Sequence, residues 1–269
     1  LSGSPLPLCV ESIPVWGSHV ACIPPQDLTG TIAGNLRMER YGLANPQVEG
    51  QFLFLRPVRS EIFSKPFLPG KDSLVLLTNG RGAMARLRVD FGQIYSKYDC
   101  ALGANLAPDM PVDRHVFVKR LRIWVNADGF IRPLDGGTIS HFEPGPPAKW
   151  KFLVTAGENS QATLMVTADM IEQENTTLFR VTRLADPGIL NPVKSLALAV
   201  RVDIEDRNFH TETMRHHGVE NYFSSNIRIL EDQIGFNFDP AADRHLKVFC
   251  TKGTFHPAPE WTGDISHPI

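Results

Sequence analysis

The chain predicts an all-β fold, a large antiparallel two-sheet sandwich with few short helices, on three observations. Its 21 glycines and 21 prolines are spread through nearly all of its 269 residues, punctuation that suits many short strands. Within 74–134 its apolar runs have strand length and are separated by Asn-Gly, Pro and Asp-Gly; none continues far enough for a core helix. Two segments, 116–125 and 196–205, alternate apolar and polar residues with the period of two that puts successive side chains on opposite faces.

The elements follow in order. Residues 1–50 are broken by Pro5, Pro7, Pro14, Pro24 and Pro25 and are expected to form an irregular wrap. Strands are expected at 51–55, 74–77 and 85–91. In 116–125, Phe117, Leu121, Ile123 and Val125 share one face, and Arg120, Arg122 and Trp124 share the other. Asn126-Ala127-Asp128-Gly129 reads as a four-residue turn leading into a return strand at 130–132, which Pro133 ends or marks as an edge. Further strands are expected at 150–155, 161–168 and 178–184, the last two joined by a polar turn, Glu172-Gln173-Glu174-Asn175. In 196–205, Leu196, Leu198, Val200, Val202 and Ile204 face one way, and Arg201, Asp203 and Glu205 the other, as in a half-buried strand. Strands at 227–230 and 245–251 complete the series, with a short helix near 240–244. No repeat, low-complexity segment or mid-chain linker divides the chain, so 1–269 reads as one domain.

Composition narrows the function. A net charge of −2 and a pI near 6.5 give no reason to expect nucleic acid or an anionic membrane as partner. No apolar run reaches membrane-spanning length, and no signal-peptide pattern opens the chain. Cys9, Cys22, Cys100 and Cys250 are too few and too scattered for a disulfide scaffold, and none forms a Cys-x-x-Cys pair. They predict reduced, mostly buried thiols and a cytoplasmic protein. Asn175-Thr176-Thr177 is a formal glycosylation sequon that points the other way.

The chemical motifs are weak. His210, Glu212, His216 and His217 crowd one stretch, but they lack the spacing of a helical zinc site and read as a solvated loop. Thr78-Asn79-Gly80-Arg81-Gly82 and Pro69-Gly70-Lys71-Asp72-Ser73 contain glycine, yet neither has the spacing of a phosphate loop. No Gly-x-Ser-x-Gly elbow is present, and a Cys100–His115 dyad has only the presence of both residues behind it. Glycoside hydrolysis needs two carboxylates across a bond; the acidic residues here establish no such pair. No catalytic residue, metal site or cofactor is assigned. Trp124, beside two arginines, is a candidate for sugar stacking or for a domain interface, whereas Trp16, Trp150 and Trp261 read as core or rim anchors.

One resemblance adds to this reading. Thr78-Asn79-Gly80-Arg81-Gly82, then Lys97-Tyr98-Asp99-Cys100, then Asp113-Arg114 before a hydrophobic strand, resembles the N-terminal domain of bacterial-type glycogen debranching enzymes, the amylo-α-1,6-glucosidase family. Residues 169–183 are similar to a later strand pair of that family, and Glu260-Trp261 to its exit toward the next domain. The family's His-Gly after the Tyr is Asp99-Cys100 here, so a role tied to that His does not carry over.

The resemblance implies a galactose-mutarotase-like supersandwich that precedes a catalytic (α/α) barrel in the same polypeptide. On that basis the chain is a fragment, non-catalytic alone, that supports the barrel and contacts α-glucan. Asn79, Arg81, Tyr98, Asp99, Arg114 and Trp124 are the candidate substrate or interface residues, with bracing of the turns as the competing role. A free-standing carbohydrate-binding module and a self-contained sugar epimerase or lyase are the rival readings.

Overall fold

A computed structural model describes residues 70, 73–107, 109–110, 113–156, 160–185, 195–216 and 218–262, together with the backbone of four strands between 12 and 54. The chain divides into two compact units, Ile23–Ser64 and the remainder. The larger unit begins with a hairpin of β1 (Ser12–Val15) and β2 (Ser18–Ala21). Pro14 is tolerated there because both strands of a two-stranded ladder are edges. The smaller unit holds the hairpin of β3 (Ile32–Met38) and β4 (Val48–Phe54). Three strands and the start of β4 therefore lie where an irregular wrap was expected, and the rest of β4 meets the strand expected at 51–55. The side chains of Cys9, Trp16, Cys22 and Lys71 lie outside the described residues.

The larger unit continues with β5 (Leu74–Thr78), β6 (Met84–Arg88), β7 (Cys100–Asn105), β8 (Arg114–Ala127) and β9 (Phe130–Pro133). Next come β10 (Ile139–Glu143), β11 (Ala148–Thr155), β12 (Gln161–Met170) and β13 (Thr177–Leu184). The series ends with β14 (Leu196–Asn208), α1 (Val219–Ser225), β15 (Ile227–Ile229), β16 (Gly235–Ala241) and β17 (Arg244–Phe249). One sheet has the order β14-β8-β7-β6-β5, with β9 also paired to β8. A second is the meander β10-β11-β12-β13, and a third is β15-β16-β17. All pairings are antiparallel.

The fold is an all-β antiparallel sandwich whose main core combines both large sheets. Val75, Leu77, Phe117, Ile123 and Val125 from one belong to the same apolar cluster as Trp150, Phe152, Val154, Leu164 and Val166 from the other. Each such side chain contributes about 1.5–3 kcal/mol by leaving water. Trp150, fully buried, donates its indole N–H to the Val89 carbonyl at 3.0 Å, and Phe91 meets it edge-on with centroids 5.4 Å apart. It is a core anchor, satisfied at its one polar atom.

The long strand β8 sets the site. Phe117, Ile123 and Val125 are buried and Leu121 packs against the core, as alternation predicts. Register shifts opposite Val118 in both β7 and β14 mark a bulge in β8. There Lys119 is also buried, with its ammonium donating to the carbonyls of Ser96 and Lys97 at 3.2 and 2.8 Å.

Several expectations are corrected. The turn after β8 has two residues, not four: Ala127 pairs with Phe130, and Asp128 and Gly129 carry φ of 53° and 88°. An Asp-Gly pair with both φ positive matches the right-handed twist of the strands it joins. The short helix is at Val219–Ser225, where Phe223 stacks on Phe238 at 5.3 Å; residues 240–244 instead close the β16–β17 hairpin. Strands β7, β10 and β16 were not anticipated. Within 196–205 the expected wet face is not found: Leu196, Val202 and Ile204 pack against the core, but Leu198 and Val200 are exposed, and Arg201, Asp203 and Glu205 are half-buried by their ion pairs.

Candidate functional site

The motif turn between β5 and β6 is a knot of asparagines. Asn79 is 2% exposed; its Oδ1 accepts the amides of Arg81 at 2.8 Å and Ala83 at 3.1 Å, and its Nδ2 donates to the Glu174 carbonyl at 2.8 Å. Its own carbonyl accepts the Gln173 amide. Gly80 and Gly82 have φ of 76° and 92°, a conformation only glycine adopts without cost. Asn105, at the end of β7, donates to the Arg81 carbonyl and exchanges two hydrogen bonds with the Asn175 side chain. Three turns are thereby tied together through side-chain amides. The sequon residue Asn175 spends its Nδ2 on the Asn105 carbonyl at 2.9 Å, inside this knot. Of the predicted residues here, Asn79 is buried bracing, and Arg81 offers an exposed side chain while its backbone is held.

Asp99 is also a brace. It is 2% exposed, ion-paired to Arg86 and to Arg88 (2.8 Å), and it accepts the amides of Tyr95 and Ser96 at 2.8 and 2.9 Å. All these contacts are internal, so Asp99 fixes the β6–β7 connection. Beside it, burial pushes Lys119 down to about 8 and Cys100 up to about 11. Arg207, also buried, pairs with Glu205 and donates to the Lys97 carbonyl at 2.7 Å and the Thr211 carbonyl at 2.8 Å.

Arg114 donates from Nε to the Gly82 carbonyl, and its guanidinium lies 5.9 Å from the Phe209 ring. Tyr98 packs on the same ring at 5.0 Å and edge-on to His210 at 5.8 Å. The structure therefore brings Asn79, Arg81 and Arg114 to one turn cluster, with Tyr98 reaching it through Phe209. His210, Glu212 and His216 are exposed, His217 lies outside the described residues, and no metal-binding group of three His, Cys, Asp or Glu side chains occurs among the described residues. Cys100 does not meet His115. The thiol is buried against Met84, whereas His115 Nε2 lies 2.6 Å from Asp206 Oδ1. Cys250 is exposed, against the expectation of a buried thiol.

Asp206 is a centre that the sequence did not signal. Its carboxylate takes His115, Arg244 Nε at 2.8 Å and the Tyr222 hydroxyl at 2.7 Å, joining β8, β14, β17 and α1. Burial raises its pKa, but the hydrogen bonds from Tyr222, Arg244 and His115 outweigh that and hold it below the usual carboxylate range.

Trp124 lies elsewhere, ten residues along β8 from Arg114, or roughly 30 Å at strand rise. It walls a groove of about 200 Å³ with Arg120, Arg122, Gln93, Pro133 and Asp135. The Arg122 guanidinium sits 5.7 Å from the Trp124 ring centroid. Arg120 and Arg122 both bind Asp203, the latter at 2.7 Å, and Arg120 also donates to the Gly92 carbonyl at 3.2 Å. Asp203 stands opposite Arg120 in the β8–β14 register, so the pairing follows from strand alignment. Asp135 accepts the Gly137 amide at 2.9 Å, and burial raises its pKa. Gln93 and Asp135 come from connections that motif reading passed over. Arg120 and Arg122 were legible as neighbours of Trp124 on one strand face.

Among the described residues, no helix is long and apolar enough to cross a membrane. No curated protein and no solved structure matches the chain. The family model for the glycogen debranching enzyme N terminal matches residues 74–269, the stretch that holds the asparagine knot, the Asp99 node and the Trp124 groove. With most of its length covered by that match, the chain belongs to the glycogen debranching enzyme N-terminal family.

Proposed function

We propose that this chain is the sandwich module of a glycogen-debranching-type glycoside hydrolase, without hydrolytic activity of its own. It braces a catalytic (α/α) barrel in the same polypeptide and contacts α-glucan. The observation that carries this reading is the family match over 74–269. The side-chain chemistry agrees with it: Asp99, Asp203, Glu205 and Asp206 are each bound to arginine, an arrangement that stabilises loops rather than placing two carboxylates across a glycosidic bond. The cytoplasm is the expected compartment for such an enzyme.

The test has two parts. Incubated with a branched limit dextrin, the chain alone is expected to release no glucose; turnover would refute the non-catalytic role. Added to a separately produced barrel domain of the same polypeptide, it is expected to raise the barrel's thermal midpoint. An unchanged midpoint would refute the bracing role. A free-standing carbohydrate-binding module is the second reading, favoured by the Trp124 groove. It predicts that the natural reading frame carries no helical-barrel sequence.

A further inference from the structure

We infer that the groove walled by Trp124 is a subsite for one neutral pyranose ring of an α-glucan, with Gln93 and Asp135 binding its hydroxyls. This rests on the proposed glucan contact and says where it is made. Four observations lead to it.

The first is shape. A groove of about 200 Å³ is smaller than the ~300–1,000 Å³ of sites that enclose whole small ligands, so it takes one ring of a longer chain rather than burying an oligosaccharide. The second is lining. Trp124, half-buried, and Pro133, its cross-strand partner, supply an apolar wall, while Gln93 and Asp135 supply an amide and a carboxylate. An apolar wall with a few convergent polar groups suits a sugar, which has an apolar ring face and a polar edge.

The third is charge. The cations Arg120 and Arg122 stand against the anions Asp203 and Asp135, with Asp90 beside Asp135, so the groove has no excess of positive charge. A phosphate or carboxylate ligand gains no net attraction there, whereas an uncharged polyol loses nothing. The fourth is preorganisation. Asp203 holds both guanidinium groups, Arg122 lies against the Trp124 ring, and the Gly92 carbonyl takes Arg120, so the wall is fixed before a ligand arrives.

The experiment is calorimetric titration of the full 269-residue chain with maltohexaose, alongside Trp124→Ala, Trp124→Phe, Gln93→Ala and His210→Ala. Thermal melting checks that each variant is folded. Trp124→Ala is expected to weaken binding about tenfold or more, and Gln93→Ala about threefold. Trp124→Phe should stay within about threefold, and His210→Ala, on the exposed loop near Tyr98, should match the parent chain. Glucose 6-phosphate should compete no better than glucose.

A folded Trp124→Ala that binds like the parent chain would overturn the subsite while leaving the glucan contact standing elsewhere. Absence of heat from the parent chain at millimolar maltohexaose would overturn both. Should Trp124→Ala fail to fold, Gln93→Ala decides, since undiminished binding in that variant overturns the assignment. Stronger competition by the phosphate ester would overturn the neutral-ligand claim.

Discussion

The two ends of β8 carry the same kinds of side chain and use them in opposite ways. At its start, Arg114 donates to the backbone of a turn whose Asn79 is fully committed to internal amides and carbonyls. At its far end, Arg120 and Arg122 are held by Asp203 and line a concavity with Trp124. The first end carries the glycine-asparagine turn motif of 78–82 with Asp113-Arg114; the second carries no comparable motif. A signature of this kind marks what the backbone needs in order to turn, because glycine at positive φ and asparagine bridging two turns have few substitutes. A sugar-sized groove can be lined by many combinations of aromatic and polar residues, and leaves no fixed spacing in the chain.

The sharpest way to break this contrast is at Asp99. Replacing it with Ala removes the Asp99 carboxylate from Arg86 and Arg88, and Arg88 is buried. Loss of one partner of a buried pair costs about 3–5 kcal/mol. Urea denaturation of Asp99→Ala should show that loss, and an unchanged midpoint would mean that the node is not a brace. Asn79→Ala comes next. It strands the buried amide of Ala83 and the part-buried amide of Arg81, at a cost of about 2 kcal/mol, and should lower the thermal midpoint by about 4–8 °C.

A pH series isolates Lys119. Its folded pKa of about 8 lies below its ordinary 10.5, so between those values the unfolded chain holds more protons and stability rises with pH. Cys100 runs the other way. Raised from 9.0 to about 11, it takes stability away above pH 9. Between pH 8 and 9, therefore, denaturant midpoints should rise, and Lys119→Met should abolish the rise. The smallest effect is expected at Arg81→Ala. That side chain is exposed, so stability should change by no more than about 0.5 kcal/mol. A large loss there would show that the motif turn depends on the side chain and not only on its backbone.

Much of the fold was legible because its signals are local. The alternation in β8, the Asp-Gly turn and the polar turn before β13 each declare themselves within a few residues. Strand β7 did not. Its sequence, CALGAN, is buried along its whole length and shows no alternation, since a strand covered on both faces has none to show. The helix Val219–Ser225 is short and held by the stacking of Phe223 on Phe238, a contact fifteen residues away that no helical periodicity announces.

The candidate site was legible in unequal parts. Asn79, Arg81, Asp99 and Arg114 could be found as a pattern, but whether they face a ligand or the backbone depends on contacts such as Asn79 with Glu174, 95 residues apart. Trp124 was found with Arg120 and Arg122 because all three share a strand face. Gln93 and Asp135 were not, because a connection and a strand end deliver them to the groove only after the sheet has formed.

On the proposed reading the motif turns are scaffold and the Trp124 groove is where sugar is met. An NMR titration of the chain with maltohexaose, following side-chain resonances, tests it most directly. Concentration-dependent shifts are expected at the Trp124 indole N–H and the Gln93 amide, with the side-chain amides of Asn79 and Asn105 unmoved. Shifts centred on Asn79, Asn105 and Tyr98, with Trp124 silent, would contradict it.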